Sequence, residues 1–101
     1  MEVQQYEFDT PVWRTPGETG WYFATLPHDV SDDIDARTEV RAGFGSVRVR
    51  VRVGATEWET SVFPDRRRGS YVLPVKKAVR KAEGIAEGAR IRIALTVLRT
   101  A

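Results

Sequence analysis

Seven consecutive residues, Val47-Arg48-Val49-Arg50-Val51-Arg52-Val53, alternate without a break between a β-branched side chain and a guanidinium. A period of two puts every valine on one face of an extended strand and every arginine on the other, which a helix could not do. One face is core and the other solvent. Gly54-Ala55 follows, a Gly-X pair suited to a two-residue type II′ hairpin turn, and Thr56 to Val62 reads as the return strand. That turn sets Arg52 opposite Glu57, Val51 opposite Trp58, Arg50 opposite Glu59 and Val49 opposite Thr60. A one-residue slip would turn the valines outward and break both opposite-charge pairs, so the register is strongly specified.

A second alternating segment, Arg90 to Val97, follows Gly88 and directs Ile91, Ile93, Leu95 and Val97 inward. Trp21 to Leu26 and Ser70 to Leu73 read as two more strands, and the segments Val3 to Phe8 and Val12 to Arg14 as one or two others. Two short helices are expected. Val75 to Ala82 starts after Pro74, aligns Val75, Ala78, Val79 and Ala82 on one face and stops near Gly84. Asp29 to Ala36 follows Pro27, with Val30 and Ile34 one turn apart and Asp29, Asp32 and Asp33 near its N-terminal end.

These pieces recur in order: Leu26-Pro27, an acidic helix, Gly45 and a Val/Arg strand, then Leu73-Pro74, a basic helix, Gly88 and an Ile/Arg strand. The expected fold is mainly β: a small closed or double-split β-barrel of about six strands with two short helices, arranged as pseudo-twofold β-α-β halves. A chain of 101 residues reads as one domain, residues 1–101, and such a length buries roughly 60–70% of the surface its unfolded form exposes.

Gly20-Trp21-Tyr22-Phe23-Ala24-Thr25-Leu26-Pro27, Arg41 with Gly43-Phe44-Gly45, and the run from Gly69 to Gly84 resemble the prokaryotic domain-of-unknown-function family nineteen-oh-five. The resemblance runs from about Phe8 to Leu98. It implies a double-split barrel, the broad fold also used by AbrB-like and antitoxin DNA-binding proteins, and it implies no reaction, ligand or catalytic residue. Where that family leads one to expect Gly-Asp before the last strand, this chain has Gly88-Ala89.

Charge is unevenly placed. Residues 1–40 hold nine Asp/Glu against Arg14 and Arg37, whereas residues 41–101 hold five against fourteen Arg/Lys, although the whole chain carries only +2. Packed together, the halves compensate; facing apart, they give the domain a dipole that steers an anionic partner. The chain has no cysteine, which removes thiolate nucleophiles, thiolate metal sites and disulfides and fits a reducing, cytoplasmic compartment. No segment approaches the roughly 20 apolar residues that span a bilayer, and no membrane partner is expected.

Catalytic signatures are absent: there is no Gly-x-Ser-x-Gly elbow, no Ser-x-x-Lys and no phosphate-cradling glycine loop. His28-Asp29 is the one adjacent imidazole and carboxylate, and neighbours in sequence rarely form a catalytic pair. Asp29, Asp32, Asp33 and Asp35 lack the spacing of a calcium loop. No catalytic residue, metal ligand or cofactor is therefore assigned.

Two surfaces remain as candidates. A small barrel that leaves one mouth open would present Trp21, Arg41, Phe44, Trp58 and Tyr71 to a small molecule or peptide, although packing in the core is the simpler role for such aromatics. Alternatively, Arg66, Arg67 and Arg68 in the loop after Pro64, together with Lys76, Lys77, Arg80 and Lys81 on the second helix, would meet on one surface and bind nucleic acid without sequence preference. A solvated loop and a solvated helix face are the plainer account of those seven. The expected function is a non-catalytic module for a small ligand or a protein segment, with weak nucleic-acid binding as the alternative.

Overall fold

The alternating segments close on themselves. The computed structural model describes residues 4–18, 20–38 and 45–98. Its strands are β1 (Gln5–Arg14), β2 (Tyr22–Thr25), β3 (Val47–Val53), β4 (Thr56–Asp65), β5 (Ser70–Pro74) and β6 (Arg90–Val97), with helices α1 (His28–Arg37) and α2 (Lys77–Glu83). Every pairing is antiparallel, and the order β1-β2-β5-β4-β3-β6 is a closed barrel because β6 also pairs with β1. Closure leaves no sheet edge to pair with a second chain. Among the described residues, no helix is long and apolar enough to cross a membrane.

Exchanging β1, β2, α1 and β3 for β4, β5, α2 and β6 leaves this pairing scheme unchanged: β2 meets β5 and β3 meets β6 across the exchange. The two β-α-β halves expected from the repeated Leu-Pro and Gly signals are thus real. Each helix follows the end of a strand in its half, and β2 and β5 are antiparallel, so α1 and α2 close opposite ends of the barrel.

The hairpin register is the one the turn dictates: Val51 pairs with Trp58, Arg52 with Glu57 and Arg50 with Glu59. Gly54 adopts φ 58° at the turn, a left-handed conformation that glycine supplies without a Cβ clash. A Cβ there would also run into the Glu83 carboxylate, which accepts a hydrogen bond from Thr56 Oγ1 at 2.5 Å. The ion pairs are less symmetrical than the register. Arg50 holds Glu59 at 3.1 Å, but Glu57 leans to Arg50 at 4.0 Å instead of to Arg52 opposite, and Glu59 also reaches Arg48 at 3.8 Å. Diagonal contacts of this kind follow from strand twist.

The barrel interior is filled by Val12, Ala24, Val47, Val49, Val51, Val62, Leu73, Ile93 and Leu95, all essentially without solvent contact. Each fully buried Val, Leu or Ile contributes about 1.5–3 kcal/mol relative to an exposed one. Leu26 and Ile34 seal the α1 end, Val75 and Val79 the α2 end.

Three boundaries differ from the sequence expectation. The N-terminal segments form one strand, Gln5–Arg14, whose first half pairs with β6 and whose last residues pair with β2. β4 runs past Val62 to Asp65, with Pro64 opposite Tyr71. α2 starts at Lys77 and not at Val75, because Val75 N–H donates to Tyr22 C=O at 2.9 Å and prolongs the sheet. The helix ends as expected, on Gly84 at φ 65°.

Candidate functional site

The sequence-derived residues fall into three places. Although Tyr71 borders a concavity at the α1 end, Trp58 and Tyr71 belong to the core, at 9% and 5% exposure. Inward-facing parity on β4 and β5 puts them there, and Tyr71 is further tied down by Ser31 Oγ on its N–H (3.0 Å) and by its own hydroxyl donating to Asp35 (3.2 Å). Arg41 and Phe44 lie outside the described residues. Trp21 is the opposite case: at 69% exposed it is, among the described residues, one of two large hydrophobic side chains, with Phe63 at 39%, that stand out in solvent.

The seven cations do not meet on one surface. Arg66, Arg67 and Arg68 sit in the β4–β5 turn at the α1 end, while Lys76, Lys77, Arg80 and Lys81 lie at the α2 end. The five residues of β5, at about 3.3 Å per residue, hold the two sets roughly 15 Å apart.

The arginine turn is engaged internally. Asp65 accepts from the backbone N–H of Arg67 (3.0 Å) and Arg68 (3.3 Å) and pairs with the Arg68 guanidinium at 3.0 Å. Partial burial pushes the Asp65 carboxyl up, but these hydrogen bonds outweigh it and hold the group below its ordinary value. The Arg68 guanidinium also stacks on Trp13 at 3.7 Å from the ring centre. Beside this turn, a concavity of about 220 Å³ is lined by Asp32, Asp35 and Asp65 as well as Arg66, so its charges oppose one another.

His28 lies at the same end, its Nδ1 3.1 Å from Ser70 Oγ and 3.2 Å from Gly69 C=O. With either tautomer these contacts fasten α1 to the β4–β5 hairpin.

Two aspartates of α1, Asp33 and Asp35, are likewise engaged within the fold. Asp33 accepts from the Tyr6 hydroxyl at 2.7 Å and from Arg37 at 3.3 Å. The Tyr6 bond chiefly, opposed by desolvation and aided by Arg37, keeps the Asp33 carboxyl below its ordinary value. Burial first, then the bond to Asp33, raises the Tyr6 phenol.

The α2 end differs. A groove of about 260 Å³ is lined by Gly20, Trp21, Tyr22, Pro74, Val75, Lys76, Lys77 and Arg80, with no carboxylate among the described residues of its lining. Arg80 is fixed: its guanidinium stacks 3.8 Å above the Tyr22 ring and donates to Val75 C=O at 2.6 Å. Among the described residues, Lys76, Lys77 and Lys81 make no ion pair. A larger concavity, about 590 Å³, opens on the outer face of β1, β6 and β3, but Arg50 and Arg52 there stand against Glu7 and Glu57. Of these three concavities, the one at α2 alone presents charge of a single sign.

Trp21 is held in place by its backbone. Thr15 N–H donates to Trp21 C=O at 2.8 Å, and Trp21 N–H donates to Thr15 Oγ1 at 2.7 Å, extending the β1–β2 ladder by one position. The indole is thereby presented on a rigid element while its ring stays in solvent.

Sequence reasoning separated Trp21 from Lys76, Lys77 and Arg80 and assigned them to different surfaces; the structure brings them together. It missed Trp13 and Phe23 as surface residues, whose rings lie 5.1 Å apart. Their place as neighbours follows from the Trp13–Phe23 pairing of β1 with β2, a contact between strands that neither segment reveals alone.

A closed six-strand barrel with two end-capping helices and a cationic groove defines the class of protein: a small all-antiparallel barrel module. The family model for the domain of unknown function DUF1905 matches residues 8–95, and the chain belongs to that family. No curated protein matches the chain.

Proposed function

We propose that this domain is a non-catalytic binding module whose working surface is the α2 end and whose partner is anionic. The observation that carries this reading is the groove in which an exposed, backbone-anchored Trp21 stands beside Lys76 and Lys77 with no carboxylate among the described residues of the lining. Several charged groups elsewhere are paired, Asp65 with Arg68, Asp33 with Arg37 and Asp9 with Arg92, and the other two concavities mix both signs of charge. Lysines on a solvent-facing helix cost little to keep unpaired, so their presence alone would mean nothing; the indole beside them is what distinguishes this end. The α2 groove attracts an approaching anion, whereas at the α1 end aspartates and arginines offset one another. A cytoplasmic setting belongs to the same reading, supported by the cysteine-free sequence.

Calorimetric titration of the intact chain with inorganic polyphosphate tests it. Saturable binding that weakens as salt rises is expected, together with its loss in the Lys76→Glu/Lys77→Glu double variant. Binding that survives the double variant, or that is lost instead when Arg66 and Arg67 are changed to Glu, would overturn the assignment of this end. An absence of binding at low salt would overturn the function itself.

A further inference from the structure

Resting on that reading, we propose that the α2 groove takes single-stranded nucleic acid, with one base stacked on Trp21 and the flanking phosphates on Lys76 and Lys77. The extended β1–β2 ladder fixes the direction of the Trp21 ring. Trp21 and Phe23 are two residues apart on one strand line, so both face outward, about 7 Å apart. Across the ladder Trp13 pairs with Phe23 and shares that face, its indole N–H anchored to Thr25 Oγ1 at 2.8 Å.

The lysine is aligned with this row by the neighbouring strand. Phe23 pairs with Pro74, and the Val75-to-Tyr22 hydrogen bond carries the β2–β5 register one step further. Lys76 is thereby set beside Trp21 on the outer face, with Lys77 next to it at the start of α2. A flat apolar face and a point charge side by side match a nucleotide, which offers a π-face and a phosphate in the same repeat.

The row also has an end. The Arg68 guanidinium lies over the Trp13 ring and is itself paired with Asp65, so Trp13 is already stacked and Arg68 already neutralised. Phe23 packs on Trp13, ring centres 5.1 Å apart, and lies outside the groove lining, so the track is short, one base on Trp21, and binding is weak and indifferent to sequence. A duplex keeps its bases stacked on each other and cannot use the indole face. A bare polyanion would use the lysines alone.

Those differences define the test, a fluorescence-anisotropy titration of the intact chain with a labelled oligothymidylate, run beside inorganic polyphosphate and a duplex of equal length. Trp21→Ala is expected to weaken the oligonucleotide on the order of ten-fold or more, as loss of one stacked base does, and to leave polyphosphate unchanged. Trp21→Phe should recover part of the loss. Lys76→Glu/Lys77→Glu should weaken both ligands. Trp21 is exposed and outside the core, so its variants keep the fold, which circular dichroism verifies. If Trp21→Ala leaves the oligonucleotide affinity unchanged, or the duplex binds as well as the single strand, the nucleic-acid inference fails while anion binding stands. If neither oligonucleotide nor polyphosphate binds, both fail.

Discussion

At the α1 end, Asp33 accepts from Tyr6 and Arg37, Asp35 from Tyr71, Ser31 from the backbone of Tyr71, and His28 lies on Ser70 and Gly69. At the α2 end the attachments are Val75 and Val79 in the core, Arg80 stacked on Tyr22, and one polar contact from Thr56 to Glu83. The halves share one topology but hold their helices differently. α1 has only Ser31 and Ile34 buried and docks through side-chain hydrogen bonds that engage Asp33 and Asp35. α2 docks through apolar contact and one folded-back arginine, so its lysines are left to solvent. Asp33 and Asp35 of α1 are drawn into its attachment, whereas among the described residues no lysine of α2 is, and the cationic groove is found where attachment is apolar.

That contrast can be broken by mutation, and the largest effect belongs to the α2 end. Trp58, beside the Glu83 contact on β4, is buried against the valines of β3, so Trp58→Ala should cost about 3–5 kcal/mol in chemical denaturation. Its sequence neighbour Glu59 faces outward in an exposed pair with Arg50, and Glu59→Ala should cost no more than about 1 kcal/mol. Similar small losses at both would place Trp58 on the surface and erase the claim that this end is held by apolar burial.

The α1 end should respond instead to a single hydroxyl. Ser31→Ala strips the acceptor from the buried Tyr71 N–H, and an orphaned buried donor costs about 1–3 kcal/mol. Lys77→Ala on the other helix should stay within about 0.5 kcal/mol. Equal values for the two would show that polar docking of α1 is not what separates the ends.

The smallest effect concerns pH. A carboxyl held below its ordinary value adds stability above the unfolded value, near pH 3.9, and that contribution disappears as pH falls through the folded value. Asp33 behaves so through Tyr6 first and Arg37 second, with burial opposing. The raised Tyr6 phenol has the converse dependence: its contribution is present below about pH 10 and is lost as pH rises through the folded value. Tyr6→Phe should flatten both limbs, read as Tm across an acid series and an alkaline series. A variant whose acid limb is as steep as the wild type would mean that the Tyr6–Asp33 bond does not stabilise the α1 end.

Much of the fold was legible along the chain. Period-two alternation in 47–53 and 90–97 depends only on neighbours two residues apart, and Gly54 set the hairpin register by local backbone geometry. The repeated Leu-Pro and Gly signals marked both halves because chain reversals and helix ends are also local events. The segment Trp21 to Leu26 was a different matter. It is apolar at both parities, so periodicity could not say whether Trp21 and Phe23 or Tyr22 and Ala24 faced the core; pairing with β1 on one side and β5 on the other decided it. The same holds for the cations. Sequence placed Arg66–Arg68 and Lys76–Lys81 close along the chain, but a strand of a closed barrel runs from one end to the other and carries its flanking residues apart. Local order followed from the residues themselves, whereas the joining of Trp21 to Lys76 required contacts between strands remote in sequence.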